Sequence, residues 1–297
     1  MEKSTREEVL FISWVYSDES QKNTRLMVDS LRLFGGDYSQ CPVWIFVPDA
    51  RLLADLEFSW SNIEIKYLDT PESIRKYNYG HKVYACAKAE EKAPQDVSSL
   101  VWVSPEILFT NPPVSFDLGE YFRAAFRPVH IQNVGLRVGD PLDLFWKGVY
   151  RHAGVSDIDM EVESFVDRVR LRAYFNSAAF AVNPGLGYCR RWLKLFEDLV
   201  TDEEYQHTAC QDEWHRVFLH QAVLSALVAS VVERERLRLL SPDYIYPYNL
   251  HNDVHAEYKA RSLDELVCLY SEGRSLNPKE ITDIEVPEPY RSWLADK

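Results

Sequence analysis

His207, Cys210, Glu213 and His215 crowd one stretch of the sequence. On a helix His207 and Cys210 lie one turn apart and His215 close to two turns beyond His207, a spacing that could supply part of a metal site. The same pattern fits a polar helix N-terminus with a buried cysteine. His251 and His255 flank Asp253 and would share a helical face, although Asn249 and Asn252 favour a loop. Phe126-Arg127-Pro128-Val129-His130 follows a strand-like run; Arg127 is either a phosphate clamp or a surface arginine paired with an acidic neighbour. Tyr174-Phe175-Asn176-Ser177 sets polar side chains in an otherwise core-like run. A buried Asn without a partner costs about 1–3 kcal/mol. Asn176 therefore either fixes the backbone or faces a polar ligand such as a sugar.

Several common chemistries have no sequence support. There is no G-x-S-x-G nucleophile elbow, no G-x-G-x-x-G and no G-x-x-x-x-G-K-[ST]. A serine hydrolase, a Rossmann dinucleotide site and a P-loop are therefore not expected. The five cysteines are widely spaced and none forms a C-x-x-C, which argues against a disulfide framework or a zinc knuckle.

The residues that remain must be positioned by alternating strands and helices. Val9–Val15, Pro42–Val47, Ile63–Leu68 and Leu100–Val103 read as strands. Between them, Ser17–Asn23 reads as a polar lead into a helix with Met27, Leu31 and Phe34 on one face, ended by Gly35-Gly36 as a left-handed cap would end it. His81–Lys92 is an Ala-rich helix. Strands separated by such helices imply parallel βαβ units, with ligands at the carboxyl ends of the strands. The loops Trp14–Ser20, Thr70–Lys82 and Ser104–Thr110 are then the places for chemistry. Further on, Leu142–His152, Glu163–Leu171, Leu186–Leu199 and Asp212–Val232 read as helices, and Tyr174–Val182 and Leu266–Tyr270 as strands. Ser241–Leu250 reads as a structured loop. The whole is one α/β domain with an irregular C-terminal portion, residues 276–297 forming a tail.

With 33 Lys and Arg against 46 Asp and Glu, the net charge of −13 disfavours nucleic acid and anionic lipid as partners, while leaving room for a local basic pocket. The apolar run Ala222–Val232 is too short to span a bilayer, and the charged N-terminus MEKSTREEVLF lacks a signal-peptide core. No membrane span and a cytoplasmic, reducing location are the expectations.

Taken in order, these pieces resemble a GT-A glycosyltransferase of the glycogenin and galactosyltransferase-like branch, which uses nucleotide-diphosphate sugars. The resemblance covers roughly residues 8–275 and rests on order more than identity. Ile12-Ser13-Trp14-Val15-Tyr16 sits where that family cradles the nucleotide base. Lys82 and the helix through Glu90 match the helix before the metal-binding strand. Val101–Phe109, followed by Asn111-Pro112, is similar to the apolar strand that leads into an Asp-x-Asp motif. Tyr174–Ala178 looks like the strand with a sugar-site asparagine, and His220–Ala226 like the acidic-Gln helix. Pro242–Asn249 resembles the Pro/Tyr/Asn-rich loop that follows, and Val267–Tyr270 the late strand with a metal-binding histidine. The fold so implied is a mixed, mostly parallel central sheet with helices on both faces, in a single domain over 1–297 whose residues 8–110 would be the nucleotide-binding βαβ part and 111–275 the sugar and acceptor part.

The resemblance also implies a division of labour. Ser13, Tyr16, Lys82, Ser104 and Arg127 would contact the donor nucleotide. Lys82 or Arg127 would stabilise the leaving diphosphate, as oriented positive charge does in a water-poor cleft. Asn176 and Gln221 would hold the transferred sugar, and Asp212, Glu213 or His220 would serve as base or charge stabiliser. The acceptor is a glycan, protein or small molecule. The departures fall at the cation. Two carboxylates of an Asp-x-Asp hold Mn²⁺ or Mg²⁺ against the diphosphate, and here the tripeptide is Ser104-Pro105-Glu106. Glu106 is a weak lone metal ligand, or a group that orients the ribose. Pro105 stiffens the turn. Leu269 stands at the late histidine and His220 at the acidic position. Three readings follow: an active transferase with altered or absent metal dependence; a non-catalytic relative that binds a nucleotide, glycan or partner; and a metal-dependent hydrolase built on His207, Cys210 and His215.

Overall fold

The computed structural model describes residues 8–53, 56–271 and 281–297. The charged N-terminal stretch up to residue 7, and residues 276–280 of the tail, lie outside them.

The centre of the molecule is β1 (Val9–Trp14), six consecutive buried residues. A run apolar on both faces belongs inside a sheet covered on both sides. β2 (Val43–Val47) and β3 (Ile63–Tyr67) extend the sheet in parallel on one side of β1, and β4 (Ser99–Val103) pairs in parallel on the other. β5 (Ile107–Phe109), β6 (Ala124–Phe126), β7 (Glu161–Glu163), β8 (Arg170–Arg172), β9 (Ala179–Val182), β10 (Leu237–Leu239), β11 (Tyr246–Pro247) and β12 (Cys268–Tyr270) complete the strands. The seven-stranded sheet runs β10-β6-β9-β4-β1-β2-β3. Its direction reverses at β9, which is antiparallel to both β4 and β6. β11, β12 and β5 form a separate small sheet that carries the C-terminal portion.

Successive residues of β4 serve opposite cores, as the two-residue period of a strand requires. Leu100 and Trp102 join one apolar cluster, Val101 and Val103 the other. The first cluster lies under α3 (Gly80–Lys92), α4 (Leu144–Ala153), α5 (Tyr188–Thr201) and α7 (Glu213–Val231). The second lies under α1 (Asp18–Phe34), through Met27, Val28 and Leu31. The central sheet is thus mixed, mostly parallel and flanked by helices on both faces. The remaining helices are short: α2 (Glu72–Arg75), α6 (Glu203–Ala209) and α8 (Tyr290–Ala295).

Several boundaries differ from the sequence reading. The polar stretch from Asp18 to Asn23 belongs to α1, because Ser17 and Ser20 close a reciprocal capping box that starts the helix there. The left-handed residue at its end is Gly36 (φ 56°), whereas Gly35 keeps a right-handed conformation. Glu163–Leu171 is a hairpin turn between β7 and β8, not a helix. The Ser164 hydroxyl accepts from Val169 N–H at 2.8 Å, and Arg168 turns the chain at φ 55°. The strand expected from Tyr174 begins only at Ala179, since Asn176 Oδ1 takes the Ala178 N–H at 2.7 Å. β11 interrupts the loop Ser241–Leu250.

Candidate active site

The site forms where the sheet changes direction. The Val103–Ala179 pairing sets the carboxyl end of β4 beside the start of β9, and Ser104 N–H continues the ladder to Ala178 O at 2.7 Å. The Ser104-Pro105-Glu106 turn therefore lies next to the Asn176-Ser177 segment. Two helices close over this junction. In α3, the buried Glu90 carboxylate accepts the N–H groups of Cys189 and Arg190, both at 2.9 Å. A carboxylate at a helix N-terminus is favourable, and it fastens α3 to α5. Lys82, two turns earlier on α3, is thereby held at the junction, and α7 supplies His220 and Gln221.

Lys82 is 2% exposed. Its ammonium donates to the carbonyl oxygen of Ser177 and lies 5.2 Å from the Trp102 ring centroid and 5.7 Å from that of Tyr79. Tyr79 itself holds a left-handed φ of 62°, an uncommon state for an aromatic residue. Gly80 follows it because a β-carbon there would come within 2.1 Å of Ile74 O. The strained turn lays the Tyr79 ring on His220, centroids 4.4 Å apart and planes at 28°.

His220 Nδ1 lies 2.8 Å from Val217 O, which only accepts, so Nδ1 carries the proton and Nε2 accepts. The Ser177 hydroxyl is 3.0 Å from that Nε2 and 3.1 Å from Gln221 Oε1, and its single proton is shared between them. Ser177 N–H also donates to Gln221 Oε1 at 3.2 Å, which fixes the amide orientation. Among the described residues, neither Gln221 Nε2 nor Asn176 Nδ2 makes a hydrogen bond. Burial, then the Lys82 charge, holds His220 well below the ordinary imidazole pKa.

Lys82, Ser104, Asn176, Ser177, His220 and Gln221 line one cavity of about 180 Å³. Glu106 stands beside it, accepting from the Tyr16 hydroxyl at 2.9 Å. Burial raises the Glu106 pKa, while Tyr16 and Lys82 pull it the other way. Tyr16 is half exposed and its ring rests on Trp14 at 4.6 Å. Glu106, Tyr16, Lys82, Ser104, Asn176, His220 and Gln221 are thus brought together.

Three expected site residues lie elsewhere. Ser13 is fully buried within β1. Arg127 is no phosphate clamp: it is 2% exposed, donates to the carbonyls of Tyr244 and Ile245, and stacks 4.2 Å from the Phe165 ring. Burial depresses its pKa. Asp212 caps α7, accepting His215 N–H at 3.0 Å, with its second oxygen 2.6 Å from His215 Nδ1. It borders a neighbouring cavity instead. His130, Tyr79 and Trp214 line the small cavity without having been singled out for it. His130 Nε2 lies 2.9 Å from Ile245 O, so it and Arg127 together hold the left-handed Ile245 (φ 51°) that leads into β11. The one signal for Tyr79 is its place before a glycine at a helix start.

The residues do not fit a divalent cation held as an Asp-x-Asp motif holds it. Ser104 and Glu106 offer one hydroxyl and one carboxylate, the latter already bonded to Tyr16. Leu269 is fully buried at the late histidine position. The expected hydrolase centre also does not form. His207 and His215 sit on separate helices, α6 and α7, bonded locally to Glu203 O and Asp212. His251 is buried against the Tyr246 hydroxyl while His255 is exposed. Among the described residues, no group of three or more His, Cys, Asp or Glu side chains is placed to hold a metal ion. No helix among them is long and apolar enough to cross a membrane.

Residues 15–232 match the model of the Rhodobacterales glycosyltransferase domain. Among solved structures, the chain is similar to the galactosyltransferase LgtC in complex with donor and acceptor sugar analogs. That match has a TM-score of 0.51 at 14% identity and covers 95% of this chain and 99% of that one. It is also similar to the apo form of mouse xyloside xylosyltransferase 1, with a TM-score of 0.47 at 12% identity over 89% and 98% of the two chains. No curated protein sequence matches. At such identity the first likeness is one of fold, and the fold is GT-A.

Proposed function

The chain belongs to the Rhodobacterales glycosyltransferase domain family, and from that premise we propose that it transfers a sugar from a nucleoside-diphosphate donor to a hydroxyl-bearing acceptor without a resident divalent cation. The observation that carries the reading is the convergence of Lys82, Asn176 and Gln221 on one cavity at the carboxyl end of β4. That is where open α/β sheets bind ligands.

The chemistry needs negative charge stabilised on the departing diphosphate as its bond to the anomeric carbon breaks. A buried ammonium suits that task, because a fixed charge in a water-poor site interacts strongly and needs no reorganisation. Lys82 is aimed by the Ser177 carbonyl and by two aromatic rings. Asn176 Nδ2 and Gln221 Nε2 donate to hydroxyls of the transferred sugar. The neutral His220 ring walls the cavity and keeps Ser177 in place. Glu106, steadied by Tyr16, accepts from the ribose hydroxyls. The departing nucleoside diphosphate takes the bonding electrons, and its freed phosphate oxygen accepts the proton that the acceptor hydroxyl gives up as it attacks the anomeric carbon.

Incubation with a panel of UDP-, GDP-, CDP- and ADP-sugars tests the reading through released nucleoside diphosphate. One donor is expected to turn over, by transfer or by slow hydrolysis. Turnover of none, with intact fold, would favour a non-catalytic binding protein.

A further inference from the structure

The 180 Å³ cavity is smaller than the roughly 300–1,000 Å³ of ordinary small-molecule sites. A second cavity of about 560 Å³ adjoins it, and Asn133 and Trp214 border both. Trp214 is 61% exposed, an unusual state for so large an apolar side chain. It stacks nearly parallel on Phe218, one helical turn along α7, with centroids 5.6 Å apart and planes at 10°. One face of the indole is therefore covered and the other is open. Among the described residues its ring N–H makes no hydrogen bond. The charged groups of the larger cavity are Asp140, Asp143 and Asp212 against Arg137. His215 lines it too, bonded to Asp212 at 2.6 Å. With three carboxylates to one guanidinium, the lining accepts hydrogen bonds from sugar hydroxyls and disfavours anions.

We propose that this second cavity is a subsite for a neutral oligosaccharide acceptor, with Trp214 as the platform on which its second sugar ring stacks. The reading rests on the transfer chemistry assigned to the smaller cavity, since the shared wall sets the distance between the two. With the hydroxyl of a terminal ring in the small cavity, the next ring of a glycan that continues into the larger one lies across Trp214. The substrate class is thus a disaccharide or longer. Glycans bearing carboxylates or phosphates near that ring are disfavoured by the surplus of carboxylates at Asp140, Asp143 and Asp212.

Saturation-transfer NMR on the full chain tests this with lactose, cellobiose, maltose and N,N′-diacetylchitobiose as neutral probes and a hyaluronan disaccharide as the acidic one. The same measurements are made on Trp214→Ala and Trp214→Phe. At least one neutral disaccharide should show saturation that falls tenfold or more in Trp214→Ala and recovers to within about threefold in Trp214→Phe. The acidic probe should be weaker than the neutral ones. Nucleoside-diphosphate binding to the wild-type protein is titrated separately. The proposal is overturned if no neutral probe binds, if Trp214→Ala binds as well as wild type, if Trp214→Phe binds no better than Trp214→Ala, or if the acidic probe binds as well as the neutral ones. Disaccharide binding without any nucleotide binding would leave this subsite standing and remove the donor assignment instead.

Discussion

The ammonium of Lys82 donates to the carbonyl oxygen of Ser177, tying helix α3 to the residue pair that leads into β9. The contact crosses the line where the central sheet turns from parallel to antiparallel. It puts a buried positive charge beside Asn176 and Gln221, at the edge of the turn that carries Glu106. The consequences that follow concern charge, hydrogen bonding and protonation at this junction.

Lys82→Met should lower kcat/KM for nucleotide-sugar turnover by about 10²–10³-fold, the usual cost of losing one preorganised group at a developing charge. Thermal stability should hold or rise, because an apolar side chain of similar length replaces a buried charge. Steady-state release of nucleoside diphosphate and a melting curve check the two halves. Turnover within threefold of wild type would take Lys82 out of the chemistry.

Asn176 has two jobs that different substitutions separate. Asn176→Asp keeps the oxygen that accepts Ala178 N–H but loses the amide donor, so it should fold normally and transfer at least tenfold more slowly. Asn176→Ala should also lose about 1–2 kcal/mol of stability, the worth of the missing turn contact. Chemical denaturation alongside activity reads both. Equal activity in wild type and Asn176→Asp would confine the residue to a structural role.

His130 and His220 are buried with pKa values held well below the ordinary one. The unfolded chain takes up protons near pH 6.5, and the folded chain only at lower pH. Stability should therefore fall as pH drops below about 6.5, by up to about 1.4 kcal/mol per pH unit for each group. Urea midpoints at pH 7.5 and 5.5 should differ, and His220→Gln should shrink the difference. Identical midpoints would mean that these imidazoles are protonated in the fold.

Glu106 has the opposite sign. Burial raises its pKa above the unfolded value, so the stability linked to its protonated form is present at low pH and lost as pH rises through the folded value. Glu106→Gln should then raise the melting temperature more at pH 8 than at pH 4.5. A larger gain at the acidic end would contradict the assignment.

Chelation bears on the missing carboxylate pair. EDTA at millimolar concentration should leave turnover within about twofold, and added Mn²⁺ should not restore the activity of Lys82→Met. Loss of activity in EDTA, recovered by Mn²⁺, would show that a divalent cation takes part and contradict the cation-free reading.

Much of the fold is legible in the sequence. β1, β2, β3 and β4 announce themselves as short apolar or alternating runs, and the gaps between them are the right length for crossover helices. The order of their segments groups Glu106, Lys82, Asn176 and Gln221, and the fold sets these four side chains near one another. What was not legible depended on local polar chemistry. Val162, Phe165, Val166 and Val169 have helical spacing, yet the Ser164 side chain captures the turn. Asn176 breaks a run that periodicity extends back to Tyr174. Arg127 carries a phosphate clamp's charge, but its partners are backbone carbonyls more than a hundred residues away. Asp212 looks like a base until its place at the start of α7 shows it capping the helix. Trp214 gave no signal, because an exposed indole and a buried one are the same letter.

Calorimetric titration of the protein with UDP, GDP, CDP and ADP, each in EDTA and again in Mn²⁺, addresses the donor cavity most directly. One nucleoside diphosphate should bind with an affinity that changes little between the two conditions and is lost in Lys82→Met. Binding of none of the four, or binding that appears only with Mn²⁺ and survives in Lys82→Met, would contradict a site built around that buried ammonium.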